Sequence, residues 1–119
     1  MRGLTRLKMP VVLMGLLLSA LTVQAAPYPA RPIRLVVSSA PGGAADLIAR
    51  PIAMQMEKQF GYTIVVDNRA GANGIIGTDI VAKAVPDGYT FLVNTVAVTI
   101  NPSVYRKLPY DTERDLLPV

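Results

Sequence analysis

The 119-residue sequence has no cysteine, no histidine and no tryptophan, and only 6% of it is aromatic and 17% charged. Each absence removes a class of chemistry. Without histidine or cysteine there is no Ser-His-Asp triad, no Cys-His pair, no H-E-x-x-H zinc site and no disulfide framework. No G-x-x-x-x-G-K-S/T stretch occurs, so there is no P-loop. Little charge together with 51% hydrophobic residues argues against a disordered chain. No block of like charges marks an interaction tail. The length allows one compact domain at most.

What is present begins with a targeting pattern. Arg2, Arg6 and Lys8 precede an uncharged apolar run from Val11 to Val23, followed by Val23-Gln24-Ala25. That order is the signature of a secretory signal peptide, and the small residues place cleavage after Ala25, with Ala26 as the alternative. The run falls short of the about 20 apolar residues that a membrane-spanning helix needs. The expectation is an exported, periplasmic protein consisting of residues 26–119. Removing residues 1–25 takes away three of the 12 basic residues and none of the 8 acidic ones, so the net charge falls from +4 to +1. The apparent basicity belongs to the leader. No basic stripe with interleaved aromatics remains, which excludes nucleic acid as a partner.

Along residues 26–119 the hydrophobic pattern alternates between two periods. Ile33 to Ser38 is a short β-branched run without polar alternation, as expected of a parallel strand covered on both faces. After the loop Ala40 to Asp46, a helix is expected from about Ala45 to Phe60. Ile48, Ile52, Met56 and Phe60 lie on one face, Lys58 in the last turn and Gly61 at the left-handed stop. Pro51 breaks the interior hydrogen bond to the Leu47 carbonyl and predicts a kink. A second strand is expected at Thr63 to Val66, a second helix at Ile75 to Val85, and a third strand at Tyr89 to Val93 after the turn Pro86-Asp87-Gly88. Asn101-Pro102 reads as a turn before a short helix at Ser103 to Lys107, and Asp111 as the N-cap of a last turn. Strand, helix, strand, helix, strand implies an α/β fold with parallel pairing and right-handed crossovers.

Two glycine-bearing loops, Pro41 to Asp46 and Gly71 to Gly74, each follow a strand and open a helix. In an open α/β sheet such loops stand at the carboxyl ends of the strands, where ligands bind. Free amides at a helix start, with the positive end of its dipole, attract an anion, and glycine allows close approach. The alternative reading is that Gly42, Gly43, Gly71 and Gly74 only permit tight turns. Gly71, Gly74 and Gly77 are spaced three and three, unlike the dinucleotide fingerprint G-x-G-x-x-G. Asp46 either satisfies amides of the first helical turn or touches a ligand. Asn94 and Thr95 end the third strand on the same edge, where they either hydrogen-bond a ligand or start a turn.

Five segments in register resemble a known family. Tyr28-Pro29-x-Arg31-Pro32-Ile33-Arg34-Leu35-Val36-Val37 is followed by Pro41-Gly42-Gly43-x-x-Asp46 and by Val66-x-Asn68-Arg69-x-Gly71-Ala72-x-Gly74. Next come Ala84-x-Pro86-Asp87-Gly88-Tyr89-Thr90 and Ile100-Asn101-Pro102-Ser103-x-Tyr105-x-Lys107-Leu108-Pro109-Tyr110-Asp111. Together they resemble the Bug-type extracytoplasmic solute receptors, the substrate-binding proteins of tripartite tricarboxylate transporters. The resemblance implies a periplasmic-binding-protein fold of two α/β lobes around a cleft, of which residues 26–119 form an incomplete N-terminal lobe. It implies capture of a small carboxylate and its delivery to the transporter's membrane permease, with no cofactor, no metal and no catalysis. Carried over residue by residue, the ligand-binding positions are Pro41, Gly42, Gly43, Asp46, Asn68, Gly71, Gly74 and Thr95. The sequence departs from the family pattern at Ala44 and Ala45, where a glycine and a hydroxyl residue are usual. It departs again at Ala70 and Asn73, which replace a usual proline and glycine.

Family members are far longer, so the competing expectation is a truncated, non-functional remnant of such a receptor. A third reading, from a different class, is a small enzyme using Asp46 as general base. A single carboxylate without a second acid, base or metal cluster gives that reading thin support.

Overall fold

The computed structural model describes residues 26–119. The proposed leader and its cleavage point lie outside the described residues, apart from Ala26 itself. Three strands form one parallel sheet in the order β2-β1-β3, with β1 at Ile33–Val37, β2 at Ile64–Asn68 and β3 at Thr90–Val93. The register pairs Ile33 with Ile64 through Val37 with Asn68 on one side of β1, and Arg34 with Thr90 through Val37 with Val93 on the other. The helices are α1 at Ala44–Phe60, α2 at Ile75–Ala82, α3 at Ala97–Val104 and the single turn α4 at Thr112–Asp115. A short 3-10 turn, Ala72–Gly74, leads into α2. This is the expected α/β architecture, a parallel sheet flanked by helices.

The apolar run of β1 makes it the central strand. Val36 and Val37 are both fully buried, and because neighbouring residues of a strand point to opposite faces, both faces of β1 are covered. On the Val37 face the core is Val37 with Ala45 and Ala49 of α1, bordered by Leu35, Val66 and Val93. Gly77 of α2 closes on the end of β1, where an added Cβ would stand 3.2 Å from the Ser38 Cα.

Two expectations, the buried face of α1 and the turn at Asn101-Pro102, are corrected. The buried stripe of α1 is Ala45, Ala49 and Ala53 with Asp46, whereas Ile48 and Ile52 are 58% and 48% exposed and Phe60 is exposed as well. Small residues let the helix lie close to the strands, and the isoleucines fall on its flank. α1 runs unbroken through Pro51 to the left-handed Gly61, whose amide bonds back to the Glu57 carbonyl. Pro51 and Leu47 are both exposed, so the hydrogen bond that proline removes is lost on the solvent side of the helix. Asn101-Pro102 is not a turn before a helix at Ser103 to Lys107. Both residues lie inside α3, which ends at Val104, with the Tyr105 amide bonding to the Asn101 carbonyl. Proline so close to the end removes only one bond before the helix stops.

Other ends fell close to expectation. α2 stops at Ala82, three residues early, and β2 extends two residues further, to Asn68. Asp111 caps α4 by accepting from the Glu113 and Arg114 amides. At the amino edge of the sheet the incoming chain is pinned to the turn before β3. The Ala30 amide donates to the Tyr89 hydroxyl at 2.8 Å, and Arg31 pairs with Asp87 at 2.6 Å while its guanidinium carbon sits 4.1 Å above the Tyr89 ring.

Candidate functional site

The sheet order creates a particular place. From β1 the chain crosses to β2 on one side and then returns past β1 to β3 on the other, so the connections diverge between β1 and β3. In open α/β sheets the crevice above the carboxyl ends of strands at such a divergence is where ligands sit. All eight expected positions lie on this edge: Asn68 is the last residue of β2, and the other seven lie within or just after the loops that leave β1, β2 and β3.

The first loop is organised by Asp46. Its side chain is buried in the first turn of α1, with 1% of the residue exposed. Its Oδ2 accepts from the Gly42 amide at 2.8 Å and from Arg50 Nε at 2.8 Å, and its Oδ1 accepts from Asn68 Nδ2 at 2.9 Å. Asn68 also donates to the Ser39 carbonyl at 3.0 Å and accepts from Arg50 Nη2 at 3.2 Å. The Arg50 guanidinium, then the Gly42 amide and the Asn68 carboxamide, lower the Asp46 carboxyl from 3.8 to about 2. Asp46 and Asn68 therefore brace the first loop against the end of β2. Both oxygens of Asp46 are engaged by the chain's own donors.

Two amides of this helix start are taken by the chain itself. Gly43 N-H bonds to the Ala40 carbonyl at 2.9 Å and Asp46 N-H to Ser39 Oγ at 3.2 Å. The amide of the exposed Ala44 has no partner among the described residues, while Ala45 is fully buried in the helix stripe. Pro41 and Gly42 are exposed at the loop tip. Gly43 is required by space, since a Cβ there would come within 2.9 Å of the Ser39 side chain.

The second loop winds left-handed. Gly71 has φ +126° and is followed by Ala72 at +47°, Asn73 at +53° and Gly74 at +81°. Gly74 is buried at the N-cap of α2, where a Cβ would lie 3.0 Å from Asn94 Oδ1 and 3.3 Å from the Ser38 Cβ. The contact is explained by a polar chain tying the strand ends together. Ser38 Oγ donates to Asn94 Oδ1 at 2.7 Å, Asn94 Nδ2 donates to Thr78 Oγ1 at 2.8 Å, and Thr78 Oγ1 donates to the Gly74 carbonyl at 2.8 Å. Asn94 Oδ1 also takes the Thr95 amide at 2.7 Å. Thr95 itself is exposed at the mouth, its hydroxyl accepting only a long 3.4 Å contact from the Ala97 amide.

The structure thus joins Pro41–Asp46 to Asn68, and Gly74 to Asn94 beside Thr95, around Ser38 at the end of β1. Sequence reasoning missed Ser38, Ser39 and Thr78. The hydroxyl pair directly after an apolar strand was the available signal for Ser38 and Ser39. Thr78 carried none. Among the described residues no group of three or more His, Cys, Asp or Glu side chains could hold a metal ion.

An open parallel sheet with small polar groups over its switch point is the frame of a ligand-binding α/β protein, and its solved structural neighbours include periplasmic binding proteins. The family model for the tripartite tricarboxylate transporter family receptor matches residues 48–119, and the chain belongs to that family. It is 49% identical over 92 residues to the UPF0065 protein in the tcbD-tcbE intergenic region of Pseudomonas sp. (strain P51), covering 77% of this chain and 27% of the relative. Among solved structures it is similar to the periplasmic binding protein BugD, with 42% identity and a TM-score of 0.70 over 74% of this chain and 29% of BugD. The R. palustris protein solved with adipate gives 40% identity and a TM-score of 0.69 over 73% of this chain and 29% of that one. MatC from Rhodopseudomonas palustris, solved with bound malate, gives 34% identity and 0.61 over 74% and 30%. The chain spans about a third or less of the length of these proteins. Family and fold are those of solute-binding receptors.

Proposed function

We propose that the chain supplies the β1–β3 side of a carboxylate-binding cleft in a periplasmic solute receptor, which passes its ligand to the membrane permease of a tripartite tricarboxylate transporter. The observation that carries this reading is the gathering of the two loops over the switch point, with the amides of the exposed residues Ala44, Ala72 and Asn73 free of partners inside the described chain. Amides at helix starts attract a carboxylate without cationic side chains. Adipate and malate in the related structures support a small diacid as the ligand. Pro41, Gly42, Gly43, Gly71, Gly74 and Thr95 shape or line the seat in this reading, and Asp46 and Asn68 hold it. Export follows from the leader pattern at residues 1–25 and from the family.

Binding rather than catalysis is the proposed mode of action. A general base must be reachable and have a pKa near the working pH, whereas Asp46 is buried, occupied on both oxygens and lowered to about 2.

The test is thermal unfolding of the purified chain with adipate, malate or a tricarboxylate, against chloride at equal ionic strength. A ligand at about 100 times its Kd stabilises by about 2.7 kcal/mol. A rise in Tm specific to one acid is expected. No rise with any acid overturns autonomous binding by these residues.

A further inference from the structure

We propose that Asn101 is a positioning residue, its buried carboxamide clamping the left-handed loop Gly71–Gly74 in the shape that the carboxylate seat uses. The part concerning the seat rests on the function proposed above. The part concerning the clamp does not.

Ala72 and Asn73 are the two described residues other than glycine with positive φ, and they are consecutive. In that region the Cβ of an L-residue crowds the following carbonyl oxygen, which asparagine tolerates better than alanine. Ala72 therefore holds its conformation only if something outside the loop fixes it, and such strain persists where the surroundings over-determine it. The loop's own bonds are the Gly74 amide to the Gly71 carbonyl at 3.0 Å and the Ile75 amide to the Ala72 carbonyl. Both are short-range, and both depend on the left-handed winding they accompany.

Asn101 supplies such a fixture at Asn73, while Thr78 Oγ1 holds the Gly74 carbonyl at the loop's end. Asn101 is completely buried, although its neighbours Ile100 and Pro102 are exposed, and it reaches the loop from α3, which packs against the turn. Its Nδ2 donates to the Asn73 carbonyl at 3.1 Å, while its Oδ1 accepts from Asn73 Nδ2 at 2.8 Å. The two bonds run in opposite directions between the same two residues. They fix both a backbone carbonyl and the side chain of Asn73; the carbonyl shares its peptide plane with the Gly74 amide, which bonds back to the Gly71 carbonyl, so the turn is held from both ends. A buried carboxamide that lost these partners would be left unsatisfied, so the loop and α3 are held in one arrangement. Asn101 touches no part of the crevice in this scheme and acts only through Asn73.

The test uses the full chain carrying Asn101→Ala, and Asn101→Ala combined with Ala72→Gly. Glycine adopts the left-handed region without penalty and removes the need for the clamp. Amide hydrogen exchange at Gly74 and Ile75 is measured by NMR, alongside Tm and the affinity for adipate and malate by calorimetry. In Asn101→Ala, exchange at these two amides is expected to rise about tenfold more than at the β1 amides, and affinity to fall about tenfold. In the double variant both are expected to recover. If Asn101→Ala does not fold, Asn101→Asp keeps the acceptor for Asn73 Nδ2, removes only the donor to the Asn73 carbonyl, leaves the loop sequence unchanged and is read in the same way. Unchanged exchange at Gly74 and Ile75 in a folded variant, or failure of Ala72→Gly to restore it, overturns the clamp. A wild-type chain that binds neither acid but shows the exchange pattern supports the clamp and overturns the functional reading instead.

Discussion

Asp46 shows how one side chain couples the site to stability. Its carboxyl is lowered from 3.8 to about 2, chiefly by the Arg50 hydrogen bond, and that of Asp67 is lowered chiefly by Arg34. When the folded value lies below the unfolded one, the unfolded chain binds more protons in acid. The stabilisation is complete above the unfolded value and is lost as pH falls through the folded one. Tm should therefore fall between about pH 4 and pH 2. Asp46→Asn should lower Tm near neutrality and flatten this acid slope, leaving the part due to Asp67 and to Asp115, which Arg114 lowers, and parallel slopes would count against the role given to Asp46. Gly74 offers a second check, because its φ is +81° and a Cβ would meet Asn94 at 3.0 Å. Gly74→Ala should lose about 1–3 kcal/mol in urea unfolding. Thr78→Val keeps the shape but leaves Asn94 Nδ2 without its acceptor, and should lose about 1–3 kcal/mol in the same measurement. The glycines and Asp46 were legible as loop residues because backbone conformation and the first helical turn are local matters. That Asp46 meets Asn68, 22 residues on, depends on β2 lying beside β1, which no local pattern contains.

Among the elements, α1 separates pattern from packing most clearly. The spacing of Ile48, Ile52, Met56 and Phe60 located the helix correctly but named the wrong face. The close-packed stripe is Ala45, Ala49 and Ala53, and a helix pressed against twisted strands takes alanine where a larger residue would push it away. Ala49→Leu should overpack this contact and lose about 1–3 kcal/mol, whereas Leu47→Ser on the exposed side should change stability by about 0.5 kcal/mol or less. The reverse ordering of the two in urea unfolding would restore the original face. At α3 the dipeptide Asn101-Pro102 misled because proline usually marks a boundary. Here it sits two residues before the helix end, and the asparagine is drawn inward by a partner in a loop 28 residues earlier.

For the molecule as a whole, the exposed apolar groups have a measurable consequence. Leu47, Ile48, Ile52 and Met54 on one helix are each 48–69% exposed, a concentration that favours association or dye binding. The folded chain should bind a hydrophobic dye and sediment as a concentration-dependent species, and Ile48→Ser with Ile52→Ser should weaken both effects without lowering Tm. By itself the sequence determined the alternation of strand and helix, the parallel pairing that follows from it and the placing of two glycine loops on one edge. These depend on periodicity, turn chemistry and chain connectivity, all of which are properties of short stretches. Only the tertiary structure decided which face of α1 is buried and which polar side chains reach across the loops. Those outcomes depend on distances between residues far apart in the chain, where a few tenths of an ångström settle whether an alanine fits or an asparagine finds its partner.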